Sequence, residues 1–195
     1  MSFKYFQGPR EEMAKRSKKD VTCLFCGAQG RHFFLQRAIC DGLSEAQKEA
    51  GHGCESCLKA ARFEFKHELV NGWVDRTGLH QFDTDGKPVP VTISDEAIFE
   101  FRHTPKFVSC QGEVWFTHCD DVMAYIGIWG PAGFYRNAPD GDGRTLFFQM
   151  TEPDLSHLWD ESLEPGQTKV EGWFATYYAF RCLHCGLFRG YWDCD

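Results

Sequence analysis

The chain of 195 residues has no run approaching eighteen consecutive apolar residues, so no membrane-spanning helix is expected. Its first twenty residues lack the apolar stretch of a secretory leader and instead carry Lys15, Arg16, Lys18 and Lys19. A reducing, cytoplasmic setting is therefore expected, where paired cysteines hold metal or do redox chemistry rather than form a disulfide framework. Catalytic signatures are missing as well. There is no His-Glu-x-x-His, no deaminase pattern, no Gly-x-Ser-x-Gly elbow and no phosphate-binding glycine loop. Basic residues are outnumbered, 21 Lys and Arg against 28 Asp and Glu, for a formal charge of −7. Six of the 21 lie in residues 1–20 beside three acids, which leaves about −10 for the remainder. Such a body repels phosphate backbones, so nucleic acid is disfavoured and a basic protein partner is the better expectation.

What the chain does have is cysteine, ten of them, six in three Cys-x-x-Cys pairs: Cys23/Cys26, Cys54/Cys57 and Cys182/Cys185. Thiolates at that spacing suit a tetrahedral metal, with Zn2+ the expected occupant, as one or two ions. Two pairs share a word, Cys-Leu-Phe-Cys-Gly at 23–27 and Cys-Leu-His-Cys-Gly at 182–186. The glycine fits a knuckle that turns sharply after its second cysteine. Cys54-Glu-Ser-Cys57 runs into Leu58–Leu69, where Leu58, Ala61, Phe65 and Leu69 fall at helical spacing, so a helix is expected there. A knuckle followed by two ligands in a helix's first turn is the plan of a zinc-ribbon or treble-clef-like module.

The fold class expected is α+β: that module joined to a β-rich body, closing in a C-terminal zinc-knuckle hairpin. Three segments are read along the chain, forming one compact unit. Residues 1–20 are an apolar anchor, Phe3-Lys-Tyr-Phe6, with a charged, mobile connector; 21–70 hold the first zinc module; 71–195 form the β-rich body with the second knuckle. Ser44-Glu-Ala-Gln47 reads as a capping box opening a short helix, and Ser94 caps another over Asp95–Arg102, stopped by Pro105. Residues 71–90 read as turns and a loop. Strands are expected over Glu113–Thr117, Met123–Trp129, Thr145–Met150 and Tyr177–Arg181, and again from Leu187 to Trp192. Asp140 and Asp142 lie in a loop with no acidic residue at the far end of a twelve-residue span, against an EF-hand.

Cys182 and Cys185 need two more ligands for a structural site. The candidates are Cys119, His118, Cys110, His184 and Cys194. Cys119 is favoured. His118 is the fourth choice provided the backbone turns, because neighbours in a straight strand point to opposite faces. Cys40 and Cys110 read as buried free thiols.

In order along nearly the whole chain, Phe3-Lys-Tyr-Phe6 with Pro9, Cys23-x-x-Cys-Gly27, Cys54-x-x-Cys57, Thr104-Pro105, Gln111-Gly-Glu-x-Trp115, His118-Cys119-x-Asp121, Gly127 and Phe180-Arg-Cys-Leu-His-Cys-Gly186 with Asp193-x-Asp195 resemble the CbrC family of small bacterial proteins. The resemblance implies metal ligation by Cys23, Cys26, Cys54, Cys57, Cys119, Cys182 and Cys185. It also marks His118, Gln111, Trp115 and Asp121 as central-motif positions. It departs from the family at Cys110, where a tryptophan-like residue is usual, and at Val122–Met123, which lacks a further cysteine. The family's label is linked to tolerance of nuclease colicins. The expected function is therefore a cytoplasmic immunity or tolerance protein that binds and neutralises a basic bacterial toxin, nuclease-type favoured, with no catalytic residues. The competing expectation is a zinc-dependent hydrolase or thiol redox protein using Cys182 and Cys185.

Overall fold

The computed structural model describes residues 3–90, 92–109, 111–151, 159 and 175–194, the side chains of Ala175, Asp193 and Cys194 excepted. The elements in chain order begin with short antiparallel pairs. β1 (Val21–Thr22) pairs with β2 (Gln29–Gly30), β3 (Phe33–Phe34) with β5 (His52–Gly53), and β4 (Ala38–Ile39) with β6 (Glu64–Phe65). Between them lie α1 (Glu45–Ala50) and α2 (Glu55–Lys59). A meander follows, β7 (His67–Leu69), β8 (Gly72–Asp75) and β9 (Gly78–Gln81), then α3 (Asp95–Arg102) and the hairpin β10 (Thr117–His118) and β11 (Asp121–Val122). The last part is a three-stranded antiparallel sheet, β12 (Ala124–Ile128), β13 (Ala175–Arg181) and β14 (Phe188–Cys194), with α4 (Pro131–Asn137) and α5 (Gly143–Met150) inserted after its first strand. This is the α+β arrangement, with cysteine clusters placed to form metal-binding knuckles.

Alternation along β13 organises the core. Tyr178 and Phe180 face one way, into a large cluster with Phe107, Trp115 and Tyr125; Tyr177 and Ala179 face the other, onto Trp129, Phe134 and Phe147 beneath α4 and α5. The large cluster reaches without a break from Phe3 and Phe6 through Cys23, Cys54 and Cys57 to Cys182. At its centre Trp115 is fully buried and meets Phe101, Phe107 and Phe180 edge-on with centroids 5.0, 5.3 and 5.6 Å away. Edge-on pairs of this kind each add roughly 0.5–1.5 kcal/mol beyond area burial.

The capped helices α1 and α3 form where Ser44 and Ser94 place them; each serine oxygen accepts the backbone N–H three residues on. Four expectations fail. The helix over Leu58–Leu69 stops at Lys59, because Phe63, Phe65, His67 and Leu69 are all buried at every second position, the last three within β6 and β7. The loop expected over 71–90 contains the β8–β9 hairpin, in register from Gly72 opposite Gln81 to Asp75 opposite Gly78. Thr145–Met150 is not a strand but most of α5. Asp142 caps that helix by accepting the Thr145 N–H at 3.0 Å, and Leu146 and Phe147 are buried while Phe148 is exposed. The connector expected to be mobile is laid across the core instead: Met13 and Ala14 are buried, Met13 bridges Phe107, and Arg16 bridges Phe33. The Glu113–Thr117 strand is mostly extended chain beside β7, with Trp115 N–H bonding to Glu68 O at 2.9 Å.

Candidate metal centres

The two repeated words fold alike. In the first, Cys23 N–H bonds to Ala28 O at 2.8 Å and Gly27 N–H to Cys23 O at 2.9 Å; in the second, Cys182 N–H bonds to Leu187 O at 2.8 Å and Gly186 N–H to Cys182 O at 3.1 Å. Gly27 and Gly186 hold φ of +74° and +77° with open space where a Cβ would stand, so backbone conformation and not crowding demands glycine. Each knuckle is the tip of a hairpin, β1–β2 and β13–β14.

The first knuckle meets α2. Cys54 is the N-cap of that helix and its Sγ accepts the Cys57 N–H at 3.4 Å, so both thiols lie over the first turn. The donor atoms of Cys23, Cys26, Cys54 and Cys57 all fall within 4.8 Å of one another. Cys23 Sγ is 3.8 Å from Cys57 Sγ, and Cys26 Sγ is 3.7 Å from Cys54 Sγ. A tetrahedron with metal–sulfur bonds of about 2.3 Å has edges of about 3.8 Å, which these separations match. Two bare thiolates at that distance repel by about 4 kcal/mol at the effective dielectric of a protein surface, and a central dication removes the conflict. The thiols reflect the crowding. Burial would raise Cys23, but N–H donors from Cys54, Phe25 and Cys26 outweigh it and bring it down to about 6; burial pushes Cys54 and Cys57 up.

The second group joins His118, Cys119, Cys182 and Cys185, again with donor atoms within 4.8 Å. His118 Nδ1 is 3.1 Å from Cys119 Sγ and 3.4 Å from Cys185 Sγ. The strand-geometry objection to His118 is removed by a turn. His118 pairs with Asp121, so Cys119 and Asp120 are the two residues of the β10–β11 loop, at φ of +51° and +54°. Left-handed conformation at both central positions defines a type I′ turn, which asparagine, aspartate and glycine favour. The Cys185 sulfur beside it holds the Cys119 thiol up at about 11. Burial would raise Cys182, but backbone N–H groups of Cys185 and His184 prevail and lower it to about 6.

All eight sequence candidates are thus brought together as two groups of four. Of the other second-site candidates, His184 is in neither group. His184 Nε2 lies 3.0 Å from Asp121 Oδ2, turned to a carboxylate. Cys110 and the Cys194 side chain lie outside the described residues. Cys40 is a half-buried free thiol, pushed up by burial. Of the central-motif positions, Trp115 is the core hub, Gln111 is exposed, and Asp121 is buried at 5 % exposure. Spacing did not reveal what surrounds Asp121. Its carboxylate accepts from Tyr5 Oη at 2.6 Å and Val122 N–H at 2.8 Å, lies 3.1 Å from Lys4 Nζ, and is held below the usual carboxylate range by these bonds against the pull of burial. One carboxylate therefore ties the N-terminal segment, the β10–β11 turn and the second knuckle together.

Soft thiolates with at most one imidazole, four donors to a group and hairpin or helix scaffolding define a protein with two sites that fit a metal ion such as zinc. The chain belongs to the uncharacterised protein family UPF0167, whose sequence model matches residues 1–194. No solved structure matches it.

Proposed function

We propose that the protein is a cytoplasmic, zinc-stabilised interaction protein that binds and neutralises a basic bacterial toxin, a nuclease being the favoured kind. The observation that carries the reading is the closure of both donor groups: each has four protein donors, the set of a structural zinc site, and none is left for a reacting water. Zinc suits both donor sets, four thiolates in one and three thiolates with an imidazole in the other, and carries no redox chemistry of its own.

Recognition then falls to the outer surface. On α3, Asp95, Glu96, Phe99 and Glu100 are all exposed, and Phe99 at 52 % is among the large apolar side chains most open to water. An aromatic anchor ringed by carboxylates is complementary to a basic surface and would speed encounter with one. The resemblance to the CbrC family, whose label is linked to tolerance of nuclease colicins, suggests the kind of partner. The alternative, hydrolysis or thiol exchange at Cys182 and Cys185, draws on the exposure of Cys119 and Cys185.

Three measurements test this. Elemental analysis should find two zinc ions per chain, and native thiol titration should find the seven ligand cysteines unreactive while metal is bound. Mixing with a nuclease toxin encoded beside this protein should abolish its activity, and charge reversal at Glu96 and Glu100 should restore it. A toxin indifferent to equimolar protein would refute the immunity reading; a fast-reacting thiol with catalytic turnover would favour the alternative.

A further inference from the structure

Beside the first metal group a cleft of about 490 Å³ opens between Phe25, Phe63 and Glu64 at the start of β6, Arg76 and the carboxyl end of α3. In a chain of net charge −7 this cleft collects three arginines, Arg62, Arg76 and Arg102. Glu64 organises two of them. Its carboxylate, buried at 4 % exposure, accepts from Arg76 Nε at 3.0 Å and from Arg102 Nη2, and lies 3.8 Å from His103 Nε2. Arg76 also reaches Asp41, but that side chain is 87 % exposed and its charge is well screened.

These bonds leave donors over. A guanidinium has five N–H groups, so carboxylate contacts through one or two nitrogens fix the fork without filling it. Arg102 Nε is buried and has no hydrogen-bond partner among the described residues. Arg62 meets no carboxylate among the described residues; its guanidinium carbon lies 6.0 Å from the Phe25 ring centroid. Its direction is set by the metal module, since Arg62 N–H bonds to Cys57 O at 2.9 Å and Ala61 before it takes a left-handed φ of +55°. Aromatic surface completes the cleft: Phe25 stacks parallel on Phe63 with centroids 5.6 Å apart, and the exposed Phe99 also lines it.

We propose that this cleft binds a phosphate monoester carrying a planar ring, the phosphoryl oxygens held by Arg62, Arg76 and Arg102 and the ring resting on Phe25 and Phe99. Forked guanidiniums from three separate segments around one cleft suit a tetrahedral dianion better than a carboxylate, which one fork satisfies. The volume lies within the usual range for a small-ligand site. The site shares Phe99 with the α3 acidic face, but its arginines lie outside the α3 acidic cluster and its phosphoryl contacts do not depend on the identity of any protein partner.

The test is calorimetric titration of the metal-loaded protein with adenosine 5′-monophosphate, with inorganic phosphate and adenosine as separate arms. The monophosphate should bind more tightly than either half. Arg62→Ala and Arg76→Ala, at exposed positions, should each weaken it about tenfold, the loss expected for one charge-assisted contact. Unfolding midpoints and zinc content confirm that these variants are folded. Absence of binding at millimolar monophosphate, affinity unchanged in both variants, or no gain over inorganic phosphate would each overturn the assignment.

Discussion

The hydroxyl of Tyr5 donates a 2.6 Å hydrogen bond to Oδ1 of Asp121, across 116 residues of chain, where both side chains are buried. Removing the hydroxyl leaves a buried carboxylate short of a donor, and the cost of such a loss is about 1–3 kcal/mol. Tyr5→Phe should therefore lower stability by that amount in urea titration, with the second metal group loosened in parallel. An unchanged midpoint would show that water or Lys4 replaces the bond at no cost.

The two metal groups differ in depth, and loss of metal should follow that difference. In the first, three of four cysteines are buried and belong to the main core; in the second, Cys119 and Cys185 are exposed and His118 is half-buried. A chelator should remove the second ion first, leaving a folded chain with one ion. Cys185→Ser should cost one ion and modest stability, whereas Cys57→Ser should abolish cooperative folding, since metal and core are lost together. Zinc content measured alongside circular dichroism distinguishes these outcomes.

Acid should destabilise the fold from the histidine range downward. His67 is fully buried with Nδ1 3.2 Å from Glu113, and burial holds its pKa below the ordinary 6.5 despite that carboxylate; burial lowers His103 too. A depressed folded pKa gives stability that is complete above the unfolded value and lost as pH falls through the folded one. Glu113, lowered by His67 and Lys106 in spite of burial, adds a loss of the same sign at more acid pH. Urea midpoints should thus fall between pH 7.5 and 5.5, by at most about 1.4 kcal/mol per pH unit for each histidine proton taken up. The slope should be shallower in His67→Gln, and this difference separates the residue from proton competition at the thiolates.

Gly53 stands against the ring of Phe63, and a Cβ there would lie 2.4 Å from Cε1. Phe63 is buried and stacked on Phe25, so it has no room to yield. Gly53→Ala should cost about 1–3 kcal/mol, the usual penalty of overpacking. A crystal structure of the variant should show β5 displaced from β3 or the Phe25–Phe63 stack broken; neither change, with full stability, would contradict this packing.

Both knuckles and both serine-capped helices were legible because their signals are local: a glycine after the second cysteine, a serine three residues ahead of a free N–H. The stretch after Cys57 carried two periodicities at once. Leu58, Ala61, Phe65 and Leu69 spell a helix face, while Phe63, Phe65, His67 and Leu69 spell a strand, and burial of the second set prevailed. The α5 helix was hidden by its Leu-Phe-Phe run, although Asp142 three residues before Thr145 was a readable cap. His118 depended on a left-handed turn at Cys119–Asp120 that no glycine advertised, and the Asp121 and Glu64 networks join residues too distant in the chain for spacing to reveal.

The bond from Tyr5 to Asp121, with the bridge from Phe6 to Tyr125, also orders events during translation. Phe3, Tyr5 and Phe6 leave the ribosome long before the strand that shelters them is made. Until then three large rings are open to proteases and to chaperones on the nascent chain, and the N-terminal segment can dock only when most of the polypeptide has been synthesised.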